Sequence, residues 1–153
     1  MTSLTVRAPI GGHALPVRSV PDPVFAAALV GPGVAIDPMR GGRLVAGSPV
    51  GGKVVKLHPH AFIVQVPNGA GVLVHLGIDT VQLAGEGFEL LVPEGSDVVA
   101  GAGVVAWYPD VVEATGRSAV CPVIALDAAI EALSDVREAG EVAPGDPLFS
   151  WAR

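Results

Sequence analysis

Glycine and proline break this chain so often that no long helix fits between them. They make up 34 of the 153 residues, 20 Gly and 14 Pro, and in a helix interior they cost roughly 1 and 3 kcal/mol each. What lies between is short and rich in valine: Gly33 to Ile36, Lys53 to Leu57, Ala61 to Val66, Gly71 to Leu76, Gly103 to Trp107 and Ala119 to Leu126. Runs of that length, β-branched and bounded by Gly, Pro, Asn or Asp, predict strands, many of them buried on both faces. The expectation is one all-β domain over 1–153, with a core from about 5 to 151, built as an antiparallel sandwich or barrel-like body with short helical turns. Three segments carry helical signals. Pro109 to Thr115 has Pro in its first turn and Gly116 as a stop, and Pro23 to Val30 fits a short turn. Asp127 to Arg137 has an Asp cap and Ile130, Leu133 and Val136 at helical spacing.

Composition excludes several classes. Half of the residues are hydrophobic and only 16% are charged, so the chain can bury enough surface to stay ordered. A net charge of −6 with nine Lys and Arg argues against nucleic acid, whose phosphates need cationic partners. The longest stretch without Asp, Glu, Lys or Arg runs from Leu57 to Ile78. It holds His58, Pro59, His60, Gln65, Pro67 and Asn68, so no transmembrane segment is expected. No charged segment followed by an apolar one opens the chain, so no signal peptide is expected. The single cysteine, Cys121, excludes an internal disulfide framework and fits a cytoplasmic protein. Lying in an apolar run, it reads as a core residue.

Two segments recur. Glu94 to Trp107 aligns without a gap on Glu138 to Trp151, and Pro9-Ile-Gly-Gly-His-Ala14 resembles Pro49-Val-Gly-Gly-Lys-Val54. Each reads as a tight turn delivering a strand. Two copies are too few for a solenoid and suggest a pseudo-symmetric sandwich in which like hairpins pack together.

Three of the four histidines, His58, His60 and His75, lie in the least charged stretch. Between the last two, Pro67-Asn-Gly-Ala-Gly71 is a turn signal. In an antiparallel hairpin paired residue numbers keep a constant sum: about 137 for a turn centred between Asn68 and Gly69, and 135 for one centred a residue earlier. His60 and His75 sum to 135, which sets them directly opposite, with Cβ atoms roughly 5 Å apart. A slip of one residue would send them to opposite faces. His58 shares the His60 face, with Pro59 marking a strand end. Facing imidazoles can form a hydrogen-bonded pair, hold zinc, or act as a nucleophile with a supporting neighbour. The residues alone leave all three open.

The surroundings carry a resemblance. Gly71-Val-Leu-Val-His75-Leu-Gly-Ile-Asp-Thr-Val81 closely resembles the phosphohistidine signature of the glucose-type enzyme IIA components of the bacterial phosphoenolpyruvate:sugar phosphotransferase system. Val20-Pro-Asp-Pro-Val-Phe25, Val30-Gly-Pro-Gly-Val-Ala-Ile36, His60-Ala-Phe62, Gly85-Glu-Gly-Phe88, the Gly95 to Gly101 turn and Thr115 to Leu126 agree in order and spacing. The similarity extends from about Thr5 to Trp151.

The resemblance implies that His75 accepts a phosphoryl group on Nε2 from the carrier HPr, with Nδ1–H held by a backbone carbonyl. It implies that His60 stabilises that group, and that the acceptor is a cysteine on the IIB domain of a sugar permease. Asp22 and Asp79 would support the site by meeting arginine on a partner, and Val24, Phe25, Phe62 and Val81 would form an apolar docking ring. Regulatory partners would be an addition to these. No cofactor is implied, and no metal is required, although adventitious zinc at His60 and His75 is compatible. Two departures stand out: His58 occupies the place of a threonine in enteric members, and the chain begins almost at the domain, so membrane association through an amphipathic tail is not expected. The rival is a lysostaphin-like zinc peptidase using His58, His60, His75 and Asp79, whose His-x-His and His-x-x-x-Asp elements stand here in reversed order. A biotinyl- or lipoyl-type carrier domain shares the Gly-x-x-Val-x-x-Gly turns, but Lys53 and Lys56 do not sit in its motif.

Overall fold

Valine-rich runs between turn residues become fourteen strands in the computed structural model, which describes residues 3–153. In chain order these are β1 (Ser3–Arg7), β2 (Gly12–Pro16), β3 (Gly33–Pro38), β4 (Leu44–Gly47), β5 (Gly52–His58), β6 (Ala61–Gln65), β7 (Gly71–His75), β8 (Phe88–Leu90), β9 (Asp97–Val98), β10 (Gly103–Trp107), β11 (Cys121–Ala125), β12 (Leu133–Ser134), β13 (Glu141–Val142) and β14 (Pro147–Ala152). All pairings are antiparallel. An eight-stranded sheet runs β13-β2-β3-β11-β7-β6-β5-β9, and two three-stranded sheets run β1-β14-β12 and β4-β10-β8. The all-β sandwich expected from the sequence is the architecture observed.

The repeats are real and govern pairing. β9 and β10 lie 44 residues before β13 and β14, and the β9–β5 register (Asp97 with Lys53, Val98 with Gly52) maps onto the β13–β2 register (Glu141 with His13, Val142 with Gly12) under shifts of 44 and 40. The two halves clasp through reciprocal bonds: Arg7 N donates to Pro49 O at 3.0 Å and Gly47 N to Pro9 O at 2.9 Å. Ala8 O receives Gly145 N, and Ser48 O receives Gly101 N in the same way. Trp107 and Trp151, each ending a repeat, are both buried and cross-strand from Phe88 and Leu133 respectively.

Two short α-helices are present. α1 (Pro23–Ala26) begins at Asp22, whose carboxylate accepts from Val24 N at 2.9 Å. α2 (Pro109–Ala114) ends before Gly116, which takes φ +84°. The helix expected over Asp127 to Arg137 does not form. Asp127 and Asp135 take left-handed backbone angles, Ile130–Ala132 makes one 3-10 turn, and Leu133 and Ser134 join β14 as a third strand. The helical spacing there was a local signal that a tertiary ladder overrode. Cys121 is fully buried, its thiol pushed up to about 12 by burial, as a core residue should be. No helix among the described residues is long and apolar enough to cross a membrane.

The main core lies on one face of the large sheet, where Phe62, Val64, Val72 and Val74 meet Trp107, Phe149 and Trp151. On the other face, Leu73 and Ile124 pack under the 17–31 segment with Val20, Phe25 and Ile78. Strand β7 is therefore buried on its Val72 and Val74 face and half-buried on its Leu73 face, and its last residue, His75, emerges beside α1.

Candidate functional site

The hairpin that carries His60 and His75 is one residue out of the expected register. Ala61, not His60, lies opposite His75, so the paired numbers sum to 136. The cause is the turn: Val66 N bonds Ala70 O around a three-residue loop whose last member, Gly69, takes φ +96°. A loop with an odd number of residues centres the hairpin on Asn68 rather than on a bond. The histidines nevertheless meet, because His60 is not in a strand. Pro59 and His60 form the two-residue turn between β5 and β6, closed by the His58–Ala61 pair, and Pro59 fits the second position of such a turn. There His60 leaves the pleat while its carbonyl still accepts Leu76 N at 2.7 Å.

Three imidazoles and a phenyl ring form a row. His60 and His75 lie 5.3 Å apart between centroids with planes at 70°, His58 stacks on His60 at 5.6 Å and 22°, and Phe25 flanks His75 at 5.2 Å and 59°. The Nδ1 of His75 lies 2.6 Å from Gly77 O. A carbonyl can only accept, so Nδ1 carries the proton and Nε2 keeps its lone pair. Burial lowers the pKa of His75, partly offset by the Gly77 carbonyl and the carboxylates of Asp22 and Asp79. His60 is pushed down to about 4, by burial first and then by the neighbouring His75 and His58. At neutral pH both rings are uncharged, one a nucleophile with a free nitrogen and one a neighbour able to donate.

The loop after β7 makes this geometry. Thr80 is buried and its hydroxyl donates to Leu76 O at 2.8 Å, Ile78 N donates to Ser118 O at 2.9 Å, and Asp79 turns the chain at φ +59°. Arg117 donates from Nε to Asp79 O at 3.2 Å and from Nη2 to Gln82 Oε1 at 2.7 Å. The reading of the sequence gave no role to Gly77, Thr80 or Arg117. Glycine two residues after the histidine was the available signal for the first of them.

The apolar ring divides in two. Val24 and Val81 are exposed, at 43% and 63%, while Phe62 is 1% exposed and belongs to the main core. The docking role expected for Phe62 is corrected: β6 turns its ring into the main core beside Val64. Phe25, 8% exposed, is a wall of the histidine row more than a contact surface, and Leu29, which the sequence reading passed over, is 71% exposed on the segment that follows α1. Among the described residues no group of three His, Cys, Asp or Glu side chains is placed to hold a metal ion.

The fold is an antiparallel sandwich that presents a neutral, oriented histidine beside a second one. The chain belongs to the phosphoenolpyruvate-dependent sugar phosphotransferase system EIIA 1 family, whose model matches residues 4–130. It is 39% identical over 122 residues to the PTS system glucose-specific EIIA component of Bacillus cereus, covering 78% of this chain and 72% of that one. It is 38% identical over 144 residues to the N-acetylglucosamine-specific EIICBA component of Klebsiella pneumoniae, covering 92% of this chain but 22% of that longer one. Glucose permease IIA from Mycoplasma capricolum has the same fold, with a TM-score of 0.89 and 34% identity over 98% of this chain and 96% of that one. The protein is thus a phosphotransferase component acting in phosphoryl transfer for sugar uptake. The zinc-peptidase alternative finds no support in these comparisons.

Proposed function

We propose that the protein is a phosphohistidine carrier in the cytoplasm, and that His75 is the residue that carries the group. The observation that supports this most is the Nδ1 contact with Gly77, which leaves Nε2 as a neutral nucleophile. In the first step the P–N bond of phosphohistidine on HPr breaks as a P–N bond forms at His75 Nε2. In the second, that bond breaks as a P–S bond forms on a cysteine of the permease IIB domain, and His75 returns to its neutral form. His60 donates to a phosphoryl oxygen in both. Asp22 and Asp79 face cationic groups of the partners, so that their charge is offset in the complex instead of opposing the phosphorylated state. Relatives in which an EIIA part is joined to B and C parts, in Corynebacterium glutamicum and Klebsiella pneumoniae, support the IIB acceptor. Their names and the others point to a permease for glucose or N-acetylglucosamine.

The test is incubation with phosphoenolpyruvate, enzyme I and HPr, followed by intact-mass measurement. The expected result is a gain of one phosphoryl group that is lost in His75→Ala. An unchanged mass, or a gain that survives in His75→Ala, refutes the reading.

A further inference from the structure

Among the described residues, His60 has no hydrogen bond to fix its ring; the one imidazole hydrogen bond belongs to His75. What holds His60 is packing on two sides, His75 in a T-shaped pair on one and the face of His58 on the other. His58 is exposed, ends β5 and takes no part in the transfer steps above. Its placement is set by the backbone: His58 pairs with Ala61 across a turn stiffened by Pro59, and on the far side of that turn the His60 carbonyl accepts Leu76 N at 2.7 Å. Leu57, the preceding residue, is tied by its N–H to Glu94 Oε2 at 3.0 Å. A short turn anchored on both sides therefore presents one imidazole flat against another.

We propose that His58 is a positioning residue for phosphoryl transfer: by stacking on His60 it holds that ring in the orientation that meets a phosphoryl group on His75. This rests on the proposed function. The carboxylates near the row, Asp22 and Asp79, act on His75, whereas the groups acting on His60 are the two imidazoles, so nothing ionic substitutes for the stack. Because the ring face and not its nitrogen does the holding, a phenyl group in its place should serve.

The experiment compares His58→Ala and His58→Phe in the whole protein by two measurements. One is the rate of phosphoryl uptake from phosphorylated HPr. The other is the NMR titration of the His60 ring without phosphorylation. In His58→Ala the rate should fall about three- to tenfold, the scale of one lost aromatic pair. The His60 midpoint should rise toward its ordinary value as the ring loses cover and a like-charged neighbour. His58→Phe should restore the rate close to wild type. A wild-type rate in His58→Ala overturns the proposal, and so does a His58→Phe protein as slow as His58→Ala. If the wild-type protein accepts no phosphoryl group, the functional reading fails by itself. The titration then decides about His58, and an unmoved His60 midpoint in His58→Ala rejects the positioning role.

Discussion

The Nδ1 of His75 and the carbonyl oxygen of Gly77 lie 2.6 Å apart, and that contact decides what the other ring nitrogen can do. It fixes the tautomer, orients the ring toward His60, and is made by a residue only two positions along the chain. The loop can fold back this tightly because Gly77 takes φ +80°.

Replacing Gly77 should therefore damage both fold and chemistry. A Cβ at this position would lie 2.7 Å from Thr80 Cγ2 and 3.0 Å from Ser118 O, in a backbone conformation that L side chains resist. Gly77→Ala should cost about 1–3 kcal/mol of stability, read by thermal or denaturant unfolding. The protein that still folds should take up the phosphoryl group more slowly than wild type, because the carbonyl that holds Nδ1 has moved. An equally stable variant would mean that the loop relaxes freely.

Acid should find the histidine pair before it finds the core. In the unfolded chain His60 titrates near 6.5, and in the fold near 4. Between those values the unfolded chain binds more protons than the folded one, so stability rises with pH through this window. His75 acts in the same direction, since its pKa is lowered too. Unfolding midpoints should be flat above about pH 6.5 as far as these rings are concerned and fall toward pH 4. In His60→Gln the fall should be shallower. Equal slopes in the two proteins would show that the His60 ring is not held neutral by the fold.

Legibility of the sequence followed how local each determinant was. Strand existence could be read from Val-rich runs between turn residues, and the recurrence of Glu94–Trp107 at Glu138–Trp151 correctly pointed to paired halves with matching registers. Register itself was misjudged by one, because the left-handed angle at Gly69 that makes the loop odd is not written in Pro67-Asn-Gly-Ala-Gly71. The histidines met for a different reason, the turn at Pro59–His60. Leu133 was misread because its helical spacing with Ile130 and Val136 is local, while its partner Trp151 is eighteen residues away. The Nδ1 anchor was expected from resemblance, yet which carbonyl supplies it depends on the fold of the loop after β7.

Core and surface apolar residues near the site should separate cleanly. Phe62, buried among the main-core side chains, should cost about 3–5 kcal/mol when cut to alanine. Val24→Ala and Val81→Ala, at exposed positions, should change stability by no more than about 0.5 kcal/mol. If these two valines meet the partners, their loss should weaken phosphoryl uptake at low carrier concentration and leave the saturated rate alone. Unfolding curves and a concentration series of phosphorylated HPr check both halves. A destabilised Val81→Ala protein would place that side chain in the core instead.

His60→Gln probes what the second ring does in each direction. Glutamine keeps an N–H donor for a phosphoryl oxygen but cannot take up a proton. Before transfer His60 is neutral, with its pKa near 4. Once a phosphoryl group sits on His75, its negative charge favours the protonated imidazole beside it. That added charge would offset the oxygens as the group leaves for the next acceptor, a contribution glutamine lacks. Uptake by His60→Gln should stay within a few-fold of wild type, whereas onward transfer should slow by about a hundredfold, the lower range for acid–base assistance by a side chain. Rapid quenching and intact-mass measurement of each half-reaction tests this. Onward transfer at the wild-type rate would show that His60 serves as a neutral donor in both steps.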